Sequence, residues 1–201
     1  MPRPVDLDAS IAALAAPRSP HRRSAAKKLR RLGDGRACPA LLTALHRELE
    51  DARTWETQYQ MIMALGECRC TSALPLLLDL RAQELKTPRL VPMARIALGD
   101  ALVRLDPTPT NVLALAASAD QDLVSGALRA VAMLRLVFEE AIIDRLIDVA
   151  GGKFWLVAAA AGWRGARVRL LLETCVASPI LELKEAALAS LAGTYKDWNP
   201  L

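Results

Sequence analysis

The chain has 201 residues, 26 basic against 22 acidic side chains, a formal net charge of +4 and only 4% aromatics. It is rich in Ala, Leu and Arg, good helix formers rather than the β-branched and aromatic residues of strands, so an all-α fold is expected. The longest apolar stretch, residues 154–163, is about half of what a bilayer span needs, and no charged segment followed by an apolar run marks a secretory signal near Met1; a cytoplasmic address is expected.

In chain order, residues 10–16 form a lone helix ahead of the first repeat. Ser24, Ala25, Ala26, Leu29 and Leu32 share one helical face, Gly33-Asp34-Gly35 ends it, and Pro39 opens a second helix through Leu41, Leu42, Leu45 and Leu49. A second hairpin follows, with Tyr59, Ile62 and Leu65 before a turn at Gly66-Glu67, then Leu74-Pro75, Leu77, Leu78 and Leu85. Ile96, Leu98, Leu102 and Leu105 precede Asp106-Pro107-Thr108-Pro109, where the prolines forbid continuation, and a short helix holds Leu113, Leu115 and Ala116.

Asp120 caps a helix through Ala127, Val131 and Leu134, whose partner carries Phe138, Ile142, Leu146 and Val149 up to Gly151-Gly152. Residues 153–161 and 166–178 make a fifth pair, and residues 180–192 begin a sixth. Recurrence about every 30 residues is the mark of a helical repeat array, which builds one continuous core. One domain over residues 1–201 is expected, with residues 1–20 and 193–201 as its caps.

The run Leu32-Gly33-Asp34-Gly35-Arg36-Ala37-Cys38-Pro39-Ala40-Leu41-Leu42 resembles the bacterial type of HEAT-like repeat, an armadillo-type unit with a leucine-glycine-aspartate turn, an arginine and an A-x-P-x-L-L second helix. The resemblance implies a right-handed α-solenoid of about five to six helix hairpins. First helices would lie outside and second helices line a concave face, with Asp34 and Arg36 as ladder-forming structural residues. Such frameworks hold partners and carry no chemistry of their own.

No phosphate-cradling glycine loop, nucleophile elbow or zinc-binding helix motif is present, so no enzyme, catalytic residue or cofactor is expected. Cys38, Cys68, Cys70 and Cys175 lack C-x-x-C spacing and have only His21 and His46 to complete a site, so no metal is expected. They read as reduced thiols, three small buried hydrophobes and one in a turn, because Cys68-Arg69-Cys70 is too short a span for an unstrained bridge.

Between residues 17 and 36 eight basic side chains stand against Asp34 alone, whereas beyond residue 36 the chain holds 17 basic and 19 acidic ones. Arg23, Lys27, Arg30 and Arg31 share the outward side of their helix, either a solvated face or a docking patch for phosphate or an acidic partner. On the second helices Glu48, Glu50, Asp51, Asp79, Glu84, Glu139, Glu140, Asp144, Asp148 and Glu173 outnumber Arg47, Arg81, Arg145, Arg167 and Arg169. Glu140, Asp144 and Asp148 fall at i, i+4 and i+8, a stripe that repels phosphates and either receives a basic protein surface or is solvated beside Arg145.

Trp163, Arg164 and Arg167 have the composition of an interaction hot spot, which sets one anchor of a partner-binding face formed with Asp79 and the stripe. Alternatively Trp163, Tyr195 and Trp198 close the end of the stack. The expected function is a non-catalytic module that grips another protein, as a stand-alone inhibitor, adaptor or assembly factor, with neither membrane nor nucleic acid as its partner. The alternatives are a toxin-neutralising immunity protein and, by architectural resemblance, a HEAT-like DNA glycosylase, which needs a basic groove. A tetrapyrrole lyase-like chaperone is a third, for which the cysteines make no dedicated site.

Overall fold

The computed structural model describes residues 6–84 and 89–195; the expectations for Leu85, Trp198 and the outer parts of both caps lie outside them. The described residues form twelve α-helices and no strand. They fall into two compact units, Met1–Asp106 and Pro107–Leu201.

The first unit holds α1 (Leu7–Ala13), α2 (Ser19–Leu32), α3 (Cys38–Leu49), α4 (Trp55–Glu67), α5 (Leu74–Glu84) and α6 (Pro92–Leu105). Local signals set the boundaries: Asp6 caps α1 by accepting from the Ala9 N–H, prolines sit in the first turns of α2, α3 and α6, and Gly33 ends α2 at φ +62°. Helices α2, α4 and α6 pack in one row, with α1 on α2, α3 on α4 and α5 on α6. Flanked on several sides, α4 buries every residue from 57 to 66 except Gln60. Leu29, Leu41, Leu45, Met61, Ile62, Met63, Leu65, Leu77, Leu98 and Leu102 are fully buried, each burial being worth about 1.5–3 kcal/mol.

Gly66 is no turn residue. It lies inside α4, and a Cβ there would sit 3.0 Å from the Ala101 Cα and 3.2 Å from its Cβ, so glycine lets α4 and α6 approach. The turn comes later, at Arg69 (φ +53°), where the Cys70 N–H returns to the Leu65 carbonyl at 3.0 Å. Arg135 (φ +54°) repeats this cap after α8 (Gln121–Met133), with the Leu136 N–H on the Val131 carbonyl. A left-handed position costs a residue with a Cβ about 1–2 kcal/mol, which is why sequence points to glycine there.

The two hairpin turns of this unit lie on each other. A Cβ at Gly33 or Gly35 would stand 3.5 Å from the carbonyl oxygens of Glu67 and Cys68. Across this contact Cys38 and Cys70 form a disulfide spanning 32 positions, which corrects the expectation of four reduced thiols. Cys68 stays free and buried, its Sγ facing the Leu29 carbonyl at 3.6 Å, and burial pushes its thiol up to about 11. Cys175 is likewise buried and free.

The ladder role expected of Asp34 and Arg36 is not what they do. Asp34 accepts from the Arg36 N–H at 2.9 Å and pairs with its guanidinium at 2.8 Å, bracing a single 3₁₀ turn ahead of α3. Asp51-Ala52-Arg53 makes the same turn ahead of α4. In both, the arginine hydrogen-bonded to the carboxylate holds the aspartate below its usual range.

Two polar networks sit in this unit's interior. Arg22 and Glu48 form a buried ion pair; the Arg22 Nη1 also donates to the Ala16 and Pro17 carbonyls, and Ser19 donates to the Glu48 Oε2 at 2.8 Å. This ties the segment after α1 to the end of α3. Asp100, fully buried, accepts from the Arg104 Nε at 2.5 Å, and the Arg104 Nη1 reaches Glu67 at 3.1 Å, joining α6 to α4.

The second unit contains α7 (Pro109–Ala116), α8, α9 (Glu140–Ala150), α10 (Phe154–Ala159), α11 (Ala166–Val176) and α12 (Leu181–Leu191). Asp120 caps α8 as its sequence implies, accepting from the Asp122 and Leu123 N–H groups. Here α8, α10 and α12 pack in one row and α7, α9 and α11 in another. After Gly193 (φ +68°) the chain turns back, so that Tyr195 covers Gly162 and leaves no room for a Cβ there. The Arg135 guanidinium lies 4.9 Å from the centre of the Tyr195 ring, a cation–π contact that holds this closure.

Candidate partner-binding face

The acidic stripe has its geometry from α9, an amphipathic helix whose Ile143, Leu146 and Ala150 are buried. Glu140, Asp144 and Asp148 follow the 3.6-residue period along another side. Asp148 is exposed and Asp144 half-buried, because α11 runs beside them. Its Arg167 forms an ion pair with Asp148 and stands 3.8 Å from the Asp144 carboxylate, also donating to the Asp144 carbonyl at 3.4 Å.

Hydrogen bonding to Arg167 holds the Asp148 carboxyl below its usual range, and Asp148 raises the Arg167 guanidinium in turn. The counter-charge shown for the stripe thus comes across helices, from α11 to α9. Glu140 lies against Gly165 at the head of α11, where a Cβ would come within 3.0 Å of its Oε1; that places a carboxylate near the positive end of the helix. The stripe is thus three carboxylates against one arginine, partly neutralised from α11.

Trp163 is not a rim anchor. It is 3% exposed, and its indole N–H donates to the Leu136 carbonyl at 2.9 Å. The Arg135 turn leaves that carbonyl without a helical partner, and the buried indole satisfies it. Arg164 and Arg167 are exposed. On α11 the unforeseen feature is Leu170, 65% exposed and one turn beyond Arg167. The run Leu170-Leu171-Leu172 carried the signal, since three consecutive positions on a helix cannot share one buried side. Val149 on α9 is exposed as well, on the flank away from Glu140 and Asp144.

Several acids assigned to the face are structural instead. Glu48 is the buried partner of Arg22, Asp51 braces the turn ahead of α4, and Glu84 is buried with the Arg89 and Leu90 N–H groups on its Oε1. Asp79 is exposed on α5 of the first unit and accepts from Gln83 at 2.6 Å. The α2 patch divides. Arg23 pairs with Glu56 and Arg30 reaches Gln60 at 3.5 Å, both on α4, whereas Lys27 and Arg31 are exposed.

No family model matches this chain, and no curated protein does. Among solved structures, the crystal structure of an engineered protein from the Northeast Structural Genomics Consortium is similar at 15% identity, with a TM-score of 0.43 over 94% of this chain and 98% of that one.

Proposed function

We propose that the protein is a non-catalytic binding module, a right-handed solenoid of HEAT-like hairpins that grips a partner protein through the α9–α11 face. Helix rows within each unit, α2–α4–α6 in one and both α8–α10–α12 and α7–α9–α11 in the other, support the repeat reading. The observation that carries the binding reading is the face itself: Asp144 and Asp148 around Arg167, with Leu170 exposed beside them. Charge with adjacent apolar area is the make-up of a specific, reversible protein interface, and the excess of carboxylates selects a basic partner surface. An inhibitor, adaptor or assembly factor fits this reading, a toxin-neutralising immunity protein being one such inhibitor.

The same reading places the protein in the cytoplasm, where Cys38–Cys70 must form against a reducing thiol pool; trapping thiols in fresh cell extract tests that address. The function is tested by affinity capture with the native chain and with Asp144→Lys/Asp148→Lys. A protein retained by the first and lost by the second, with helicity unchanged, supports the face. Equal retention by both removes it, and salt-dependent duplex DNA binding with release of modified bases replaces it with the glycosylase alternative.

A further inference from the structure

The Cys38–Cys70 bridge joins the two hairpin turns of the first unit, and its two halves are unequally exposed. Cys70 is 2% exposed, whereas Cys38 is half-buried at the start of α3, flanked in the chain by exposed Arg36 and Pro39. A thiolate opens a disulfide by attacking one sulfur and displacing the other, and access decides which is attacked. Cys38 is therefore the entry point and Cys70 the leaving group. The third thiol nearby does not compete, because Cys68 is buried with its Sγ facing the Leu29 carbonyl at 3.6 Å.

Charge around the bridge favours one class of thiol. Asp34 is paired with Arg36 and Glu67 with Arg104, so the carboxylates of both turns are engaged. Arg69, set between Cys68 and Cys70, is exposed, and its side chain has no partner among the described residues. It also stands at φ +53°, where glycine would be free of strain. Arg135, at the matching turn after α8, uses its guanidinium on the Tyr195 ring; that of Arg69 is left to solvent. A strained position held by a charged residue beside a reactive bond points to a role for that charge. We propose that Cys38 is a thiolation site for a small anionic thiol, a cysteine-derived molecule with free carboxylates, which Arg69 draws to the bridge.

The incoming thiolate bonds to the Cys38 Sγ as the Cys38–Cys70 bond breaks, and the electron pair leaves on the Cys70 Sγ, which takes a proton from water. The products are a mixed disulfide on Cys38 and a thiol at Cys70. Attack by Cys70 on the Cys38 sulfur reverses the step and releases the small thiol. Attack by a second small thiol on the sulfur of the first instead gives the small-molecule disulfide and reduced Cys38; the bridge then gains the two electrons that the two thiols lose. Contact of the turns through Gly33 and Gly35 keeps Cys70 beside Cys38, so the bridge re-forms by the reverse reactions. The site thus reads the ratio of a small thiol to its disulfide, and it uses none of the residues of the α9–α11 face.

Glutathione, an anionic thiol, and cysteamine, a cationic one, are the probes. The folded native chain is treated with each, quenched in acid and mapped by peptide mass spectrometry. The adduct is expected on Cys38, with none on Cys70 or Cys68. Arg69→Gly, which suits the left-handed backbone, should lower the rate with glutathione relative to cysteamine about threefold at low ionic strength, a difference that salt removes and Arg69→Lys does not show. Cys70→Ser treated with oxidised glutathione should hold the Cys38 adduct that the native chain resolves. An adduct first formed on Cys70 or Cys68, or none before the chain unfolds, overturns the proposal. So does a glutathione-to-cysteamine ratio equal in the native chain and Arg69→Gly, or a Cys70→Ser chain that retains no adduct.

Discussion

Removing the Cys38–Cys70 bond should lower stability by an amount set by the loop it closes. The bridge spans 32 positions, for which the chain-entropy relation gives about 3.7 kcal/mol at 25 °C. The turns it joins already rest on each other through Gly33 and Gly35, so the native contact survives while the unfolded chain regains its freedom. If all 201 residues unfold together, that energy corresponds to a Tm lower by about 9 °C; if Met1–Asp106 unfolds by itself, to about 17 °C. Calorimetry of the native chain, the reduced chain and Cys38→Ser/Cys70→Ser measures the shift and separates the two cases. Thiol titration in denaturant should find two groups without reductant, Cys68 and Cys175, and four with it. Four thiols without reductant, or a Tm indifferent to reduction, would refute the reasoning.

Three further outcomes follow from the described contacts. Glu48→Ala should cost about 3–5 kcal/mol by leaving Arg22 charged and buried, whereas Arg22→Met/Glu48→Met should be close to neutral; urea unfolding of the two variants beside the native chain decides. Gly66→Ala should destabilise by about 1–3 kcal/mol despite alanine's better helix propensity, because its methyl meets the Ala101 backbone at 3.0 Å, and thermal unfolding checks the sign. Asp148, held below the ordinary 3.8 by Arg167, stabilises the fold above that value and loses its contribution as pH falls through its own lower midpoint. Carboxyl NMR should show that midpoint returning toward 3.8 in Arg167→Met, and an unchanged midpoint would remove Arg167 as its cause.

The α9–α11 face was legible only in part. Spacing put Glu140, Asp144 and Asp148 on one side of a helix, since that needs no knowledge of neighbours. It could not say that Arg167, nineteen positions after Asp148, rather than adjacent Arg145, supplies the counter-charge, because that follows from how α11 lies beside α9. Trp163 shows the same limit. Tryptophan beside arginine describes an interface hot spot and a buried indole equally well, and only the carbonyl left open at Leu136 distinguishes them.

What the sequence alone determined is the set of helices and most of their ends. Prolines at 20, 39 and 92, Asp120, and the glycines at 33 and 151 act within a turn of their own position, through fixed φ, a missing donor or a free left-handed conformation. Tertiary structure decided what lies far apart in the chain: the Cys38–Cys70 bridge, the burial of Arg22 with Glu48, and the use of Gly66 for close packing while arginines 69 and 135 take the turns. The physical reason is that a local conformational preference is worth about 1 kcal/mol, and burial of several side chains at one contact exceeds it.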